Sequence, residues 1–210
     1  FHLAALIGIP YSYISPLAYL KTNVEGTYNV LEASKSLDIE QTIITSTSEV
    51  YGSAKYIPID EKHPISSQSP YSASKISADQ LALSYWHSFQ LPIKIIRPFN
   101  IYGPRQSSRA VIPSIIVQAL NNKDEIKLGN IAPSRDFTYI TDTCNAFLNI
   151  LKIKNFFGNV LNVGSNNEYS IEDIAKKILA KLNSKANIKK EAQRTRSTKS
   201  EVVRLVCDNS

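Results

Sequence analysis

Two short β-branched runs, each next to a stretch with helical spacing, constrain this chain more than any other feature. Residues 41–46 (QTIITS) and 93–97 (IKIIR) are short and apolar on both sides, as in strands covered on both faces. Between them, Ser69-Pro70 offers an N-cap with proline at the first helical position. That predicts a helix running to about Phe89 and broken by Pro92. Upstream, residues 21–36 place Val24, Tyr28, Leu31 and Ala33 roughly at helical spacing. Downstream, 98–109 reads as loop, 110–121 and 141–152 as helices, 159–163 (NVLNV) as a strand and 170–182 as an amphipathic helix. Strand and helix in alternation predict an α/β fold around a parallel sheet. Such sheets carry their chemistry at the carboxyl ends of strands, so the informative residues should follow Ile44 and Ile96.

Composition narrows the class. With 210 residues, the chain has room for one domain, or one domain and a small lobe. At 43% hydrophobic and 20% charged, it has the balance of a globular protein rather than a disordered one. No apolar run approaches the ~20 residues of a membrane helix, so no membrane partner is expected. The opening FHLAA lacks a secretory signal's basic start, and a reducing cytoplasmic setting is the expectation. Cys144 and Cys207 form neither a disulfide framework nor a CxxC pair, and His2, His63 and His87 lack metal-ligand spacing. No metal site is expected. The chain contains no Met, even at its start, and reads as a fragment.

The net charge of +6 is unevenly placed. Residues 1–100 are nearly neutral, whereas 185–204 concentrate Lys185, Lys189, Lys190, Arg194, Arg196, Lys199 and Arg204. Such a stretch suits an anionic small molecule, nucleic acid or a solvated surface. It has no aromatic residue to stack on bases, and nucleic acid is not expected as a partner.

Tyr71 and Lys75 lie four residues apart on the predicted helix and share a face. A free tyrosine has a pKa near ~10. A neighbouring ammonium favours the phenolate, so the pair is a plausible proton shuttle for a sugar or alcohol hydroxyl. The alternative is a surface lysine packed over a tyrosine. Thr45-Ser46-Thr47-Ser48-Glu49 follows the first strand and puts hydroxyls and one carboxylate at its carboxyl end. The plainer reading there is a turn, which serine and threonine favour.

Several motifs together resemble the extended short-chain dehydrogenase/reductase family of nucleotide-sugar enzymes. They are FHLAA (1–5), NVEGTYNVLEA (23–33), TSTSEVYG (45–52), SPYSASK (69–75), RPFNIYGPR (97–105) and RDFTYITD (135–142), in the family's order. Glu49 before Val-Tyr-Gly resembles the 4,6-dehydratases, whereas 4-epimerases usually lack a carboxylate there. The full run of motifs, including 97–113, is most similar to the NAD-dependent 4,6-dehydratases acting on nucleotide-linked N-acetylglucosamine in legionaminic-type acid synthesis. Thr47-Ser48-Glu49 departs from the Thr-Asp-Glu of many dehydratases. It resembles GDP-mannose 4,6-dehydratases and nucleotide-sugar decarboxylases as well.

The resemblance implies a partial Rossmann-like parallel sheet, its N-terminal strands and glycine-rich loop missing, and a smaller C-terminal substrate-binding lobe. Residues 1–103 would be the C-terminal half of the NAD-binding domain and 104–210 mainly the lobe, with 141–165 returning to the sheet. It implies NAD as cofactor and a UDP- or GDP-linked sugar as substrate. Tyr71, Lys75, Thr47, Ser48 and Glu49 would be catalytic. Ala4, Ala5, Ser46, Pro98 and Phe99 would join Tyr71 and Lys75 around the cofactor. Asn100, Arg135 and Arg204 would join Thr47 on the substrate, Arg135 having an ion pair with Asp136 or Asp142 as its plainer role. His2 would be packed, and Asn23 structural. Helices near 17–36 and 70–89, with Tyr85, Trp86 and Phe89, would form a four-helix homodimer interface or pack inside the monomer. A 4-epimerase, a uronate decarboxylase and an inactive remnant are the alternatives, and the 210 residues alone are expected to be unstable, inactive and unable to retain NAD.

Overall fold

A computed structural model describes residues 1–122, 124–191 and 201–210. Strands β1 (Thr42–Thr45) and β2 (Ile93–Pro98) are the two β-branched runs, and they pair in parallel. β6 (Asn159–Val163) pairs in parallel with the other edge of β2. On the outer edge of β1, His2 bridges Ile44, with the His2 amide donating to the Ile43 carbonyl at 2.9 Å.

Both faces of this sheet are covered. Ile44, Ile93 and Ile95 pack with Leu31, Ala82, Tyr85 and Leu91, from and beside helices α3 (Gly26–Ser36) and α4 (Pro70–Phe89). Ile43 and Ile96 face the other way, onto Ile150 and Phe147 of α6 (Ile140–Ile150). Covering both faces is what keeps β-branched residues buried at every position of such strands. Lys94 sits within β2 because its ammonium caps α6: Nζ donates to the carbonyls of Ile150 at 2.8 Å and Ile153 at 2.6 Å, and to Gln41 Oε1.

α4 starts as its sequence predicts. Ser69 Oγ accepts from the Ser72 amide and the Ser69 amide donates to Ser72 Oγ, both at 3.1 Å. The segment expected as a single helix over 21–36 differs. Short helices α1 (Ile9–Ile14) and α2 (Pro16–Tyr19) lead into a π-helical turn, Leu20–Glu25, before α3. The buried positions are Asn23, Thr27, Leu31 and Ser34, whereas Tyr28 is exposed. The wider turn rotates the face, and Asn23 fixes it by clamping Leu6: its Oδ1 accepts from the Leu6 amide at 2.8 Å and its Nδ2 donates to the Leu6 carbonyl.

The C-terminal part forms two smaller sheets. β3 (Asn100–Tyr102), inside the segment expected as loop, pairs in parallel with β5 (Ser134–Tyr139), which also pairs with β7 (Glu168–Ser170) and β9 (Arg204–Leu205). β4 (Glu125–Leu128) pairs with β8 (Asn187–Lys190) under α5 (Val111–Asn121) and α7 (Ile171–Lys181). Lys189 and Lys190 of the basic stretch thus lie in a strand, while Arg194, Arg196 and Lys199 lie outside the described residues. Among the described residues no helix is long and apolar enough to cross a membrane.

Candidate active site

The expected residues converge at the carboxyl edge of the parallel sheet. After β1 the chain passes through Ser46 and Thr47 into a one-turn 3-10 helix, Ser48–Tyr51. Thr47 caps this turn, its Oγ1 accepting from the Glu49 amide at 3.2 Å. Gly52 ends it at φ +61°, where a Cβ would lie 2.4 Å from the Ser66 carbonyl oxygen, so only glycine fits. Ser48 is buried and Glu49 half-buried.

α4 brings up the second half of the site. Tyr71, Lys75 and Asp79 are spaced one turn apart, and all three are buried. The Thr47 side chain acts on the Tyr71 phenol, and the Tyr19 ring packs edge-on against it at 6.2 Å. Lys75 Nζ donates to the Thr45 carbonyl at 2.6 Å. Tyr71, Lys75 and Glu49 therefore stand near one strand end.

The acidity of Tyr71 does not follow the simple ammonium argument. Burial pushes the phenol up to about 12, opposed by the Thr47 hydrogen bond and reinforced by the Glu49 and Asp79 carboxylates. Burial also pushes the Lys75 ammonium below its usual range, against the pull of Asp79. Desolvation outweighs the expected help from lysine.

This shift fixes a pH dependence. The unfolded chain loses the Tyr71 proton near 10, the folded protein near about 12. Below pH 10 both keep it and its contribution to stability is complete. From there to about 12 the unfolded chain releases the proton first, so stability falls as pH rises, by about 2–3 kcal/mol in total. Tyr71→Phe is expected to make the alkaline loss of stability shallower by that amount in denaturant titrations at pH 9 to 12. An identical slope in both proteins would show that burial does not hold the proton.

The remaining expected residues are spread more widely. Exposed Ala4 and half-buried Ala5 follow the His2 edge, and His2 is packed, with Nε2 3.2 Å from Thr27 Oγ1. Ser46 is buried, its hydroxyl donating to Asp79 Oδ2 at 2.8 Å. Pro98 ends β2, Phe99 packs with Val50, Tyr51 and Ile59, and Asn100 opens β3. Asn100 pairs with Phe137, two residues from Arg135 on β5, so Asn100 and Arg135 lie on one face. Arg204 pairs with Ser134 instead and leaves the opposite face. It is bidentate on Glu168, Nε to Oε1 at 2.7 Å and Nη2 to Oε2 at 2.5 Å. Arg135 Nη1 donates to the Ser134 carbonyl at 2.8 Å. The Asp136 carboxylate accepts from the amides of Ser165, Asn166 and Cys207. Of the helix aromatics, Tyr85 is buried, Trp86 half-buried and Phe89 55% exposed.

Three buried residues beneath the site escape sequence reading: Asp79, Arg97 and Tyr51. A signal exists for the first two. Asp79 continues the Tyr71–Lys75 face of α4, and Arg97 is, with Lys94, one of two charged residues in a buried apolar strand.

A tyrosine and a lysine one turn apart, set against the strand ends of a covered parallel sheet, define an extended short-chain dehydrogenase/reductase of the Rossmann class. Residues 1–210 match the family described as GDP-mannose 4,6 dehydratase, and the chain belongs to that family. It is 39% identical over 189 residues to a dTDP-D-glucose 4,6-dehydratase of Dictyostelium discoideum, covering 85% of this chain and 43% of the relative. Among solved structures it resembles DesIV, a dTDP-glucose 4,6-dehydratase from Streptomyces venezuelae with NAD bound, at TM-score 0.89 and 27% identity, over 98% of this chain and 63% of that one. It also resembles a UDP-N-acetylglucosamine 4-epimerase from Methanobrevibacter ruminantium, at TM-score 0.88 and 31% identity, over 99% and 66%. The chain spans about half the length of the curated relatives it matches.

Proposed function

We propose that the full-length protein is an NAD-dependent 4,6-dehydratase that converts a UDP- or GDP-linked N-acetylglucosamine to its 4-keto-6-deoxy form. The observation that carries this reading is Glu49. It stands two residues from Thr47, whose hydroxyl accepts from the Glu49 amide, and its charge and the Thr47 side chain both act on the Tyr71 phenol. A 4-epimerase has no use for a second base beside its tyrosine, whereas elimination of water needs one at C5.

The chain's residues fit the nicotinamide end of the cofactor. Ala4 and Ala5 present small side chains beyond the sheet edge, and Lys75 offers an ammonium whose known partner is a single backbone carbonyl. Lys75 would hold ribose hydroxyls there, with Ser46, Pro98 and Phe99 behind. When bound, NAD supplies the hydride acceptor for C4 and returns the hydride to C6. To take the proton from the C4 hydroxyl, Tyr71 must first be a phenolate. Burial disfavours that form, whereas the Lys75 ammonium and the nicotinamide cation of a bound cofactor would favour it. Thr47 holds the C4 oxygen as it becomes a ketone. The ketone acidifies C5. Glu49 removes the C5 proton, and the C6 oxygen leaves as water with that proton. As the hydride reaches C6, C5 takes up one proton, balancing the one Tyr71 took from the C4 hydroxyl, so the net loss is one water. Ser48 is too weak an acid to deliver a proton and orients the departing hydroxyl. Asn100 and Arg135 share the face that receives the nucleotide diphosphate, whereas Arg204 leaves the opposite face, bound to Glu168.

The test is the product mass from the full-length protein with UDP- and GDP-N-acetylglucosamine. Loss of one water from either supports dehydration. An unchanged mass with inverted C4 would make the protein an epimerase, the reading that the similarity to the archaeal 4-epimerase favours.

A further inference from the structure

The two halves of the site belong to different elements. Tyr71 and Lys75 ride on α4, whereas Glu49 rides on the short turn Ser48–Tyr51. One side chain ties these elements together beneath the surface. Arg97, near the end of β2, directs Nε at 3.1 Å and Nη2 at 3.0 Å onto Asp79 Oδ2, on the Tyr71–Lys75 face of α4. Its third nitrogen, Nη1, donates to the Tyr51 hydroxyl at 3.0 Å, and the guanidinium lies over the Tyr51 ring at 5.1 Å. Tyr51 closes the Glu49 turn and donates onward to Asn162 Oδ1 on β6 at 2.8 Å. Both charged side chains are almost wholly buried, 3% and 0% exposed.

A buried ion pair is weak evidence for stability, because apolar residues of like volume often do as well. A planar fork does something apolar residues cannot. It holds two partners at a fixed mutual angle. Here those partners are the helix with the tyrosine and the turn with the carboxylate.

We propose that Arg97, held by Asp79 and acting through the Tyr51 hydroxyl, is a positioning residue that sets where Glu49 stands relative to Tyr71. It touches neither substrate nor cofactor. This inference rests on the dehydratase reading, in which oxidation at C4 needs Tyr71 and elimination needs Glu49.

Tyr51→Phe tests it in the full-length protein, since it keeps the ring and removes only the hydroxyl, with its bonds to Arg97 and Asn162. The steps carried by α4 should survive: substrate KM, NAD content and C4 oxidation stay near the parent's. The step carried by Glu49 should slow, with kcat falling on the order of tenfold to a hundredfold, as for an ångström-scale misplacement. Reduced cofactor then builds up during turnover, and C5 deuterium exchange slows. Amide exchange in the peptide covering 47–52 should quicken without substrate present. Arg97→Lys, which keeps the charge but loses the fork, should act in the same direction. Parent kcat and unchanged exchange in Tyr51→Phe would overturn the proposal. So would a joint loss of folding, binding and rate, which would make Tyr51 only structural. No dehydrated product from the parent enzyme would instead sink the dehydratase reading, and this proposal with it.

Discussion

Glu49→Gln in the full-length enzyme is expected to oxidise its substrate and then stall. Glutamine keeps the size of the side chain and leaves the capping bond from the residue 49 amide to Thr47 Oγ1 in place. It cannot accept a proton from carbon. Tyr71, Thr47 and Lys75 are untouched, so the C4 hydroxyl is still oxidised. Elimination loses its base, and loss of a positioned acid–base group lowers a rate by about 10²–10⁴-fold. The expected record is an early rise in the ultraviolet absorbance of reduced cofactor, near-parent substrate binding and very little 4-keto-6-deoxy product. Product at the parent rate would remove Glu49 from the mechanism. An inert enzyme with no oxidation at all would place Glu49 in the first step, beside Tyr71. The second outcome has a physical basis, because the Glu49 charge already acts on the Tyr71 phenol.

The parts of this site readable from sequence are those fixed by local spacing. Tyr71 and Lys75 share a face because a helix turns every 3.6 residues, and Ser69-Pro70 marks where that helix begins. Glu49 is legible because the loop after a buried strand must emerge at the sheet's carboxyl edge. What escaped depends on contacts between distant segments. The π turn at 20–25 answers to Asn23 bonding Leu6, seventeen residues away. The Arg204 pairing with Glu168 joins two short strands on either side of α7. The rise in the Tyr71 pKa reflects burial, which no spacing rule reports. Lys94 shows the same limit, since its place in an apolar strand makes sense only once the end of α6 lies over it.

Asp79→Ala is expected to be the most damaging single substitution for stability. Asp79 is wholly buried, and its Oδ2 accepts from Ser46 and from two nitrogens of Arg97, while Oδ1 has no hydrogen-bond partner. Burial pushes its carboxyl above the usual range, and Arg97 foremost, then Ser46, pull the other way. Truncation leaves the Arg97 guanidinium buried with only the Tyr51 hydroxyl as a named partner. Stranding a buried charge in this way costs about 3–5 kcal/mol. Against a typical total of about 5–15 kcal/mol, that brings the protein close to unfolding. Denaturant titration of the full-length protein should show a much lower midpoint. The double substitution Asp79→Ala with Arg97→Leu removes both charges and should recover part of the loss, because the penalty belongs to the unpaired ion rather than to the missing bond. If the double variant is as unstable as the single one, the damage comes from the cavity and the freed Ser46 hydroxyl instead. Recovery of stability without recovery of elimination would separate the two roles of the pair. That outcome would mean that the fold can do without the charges, whereas the placement of Glu49 cannot.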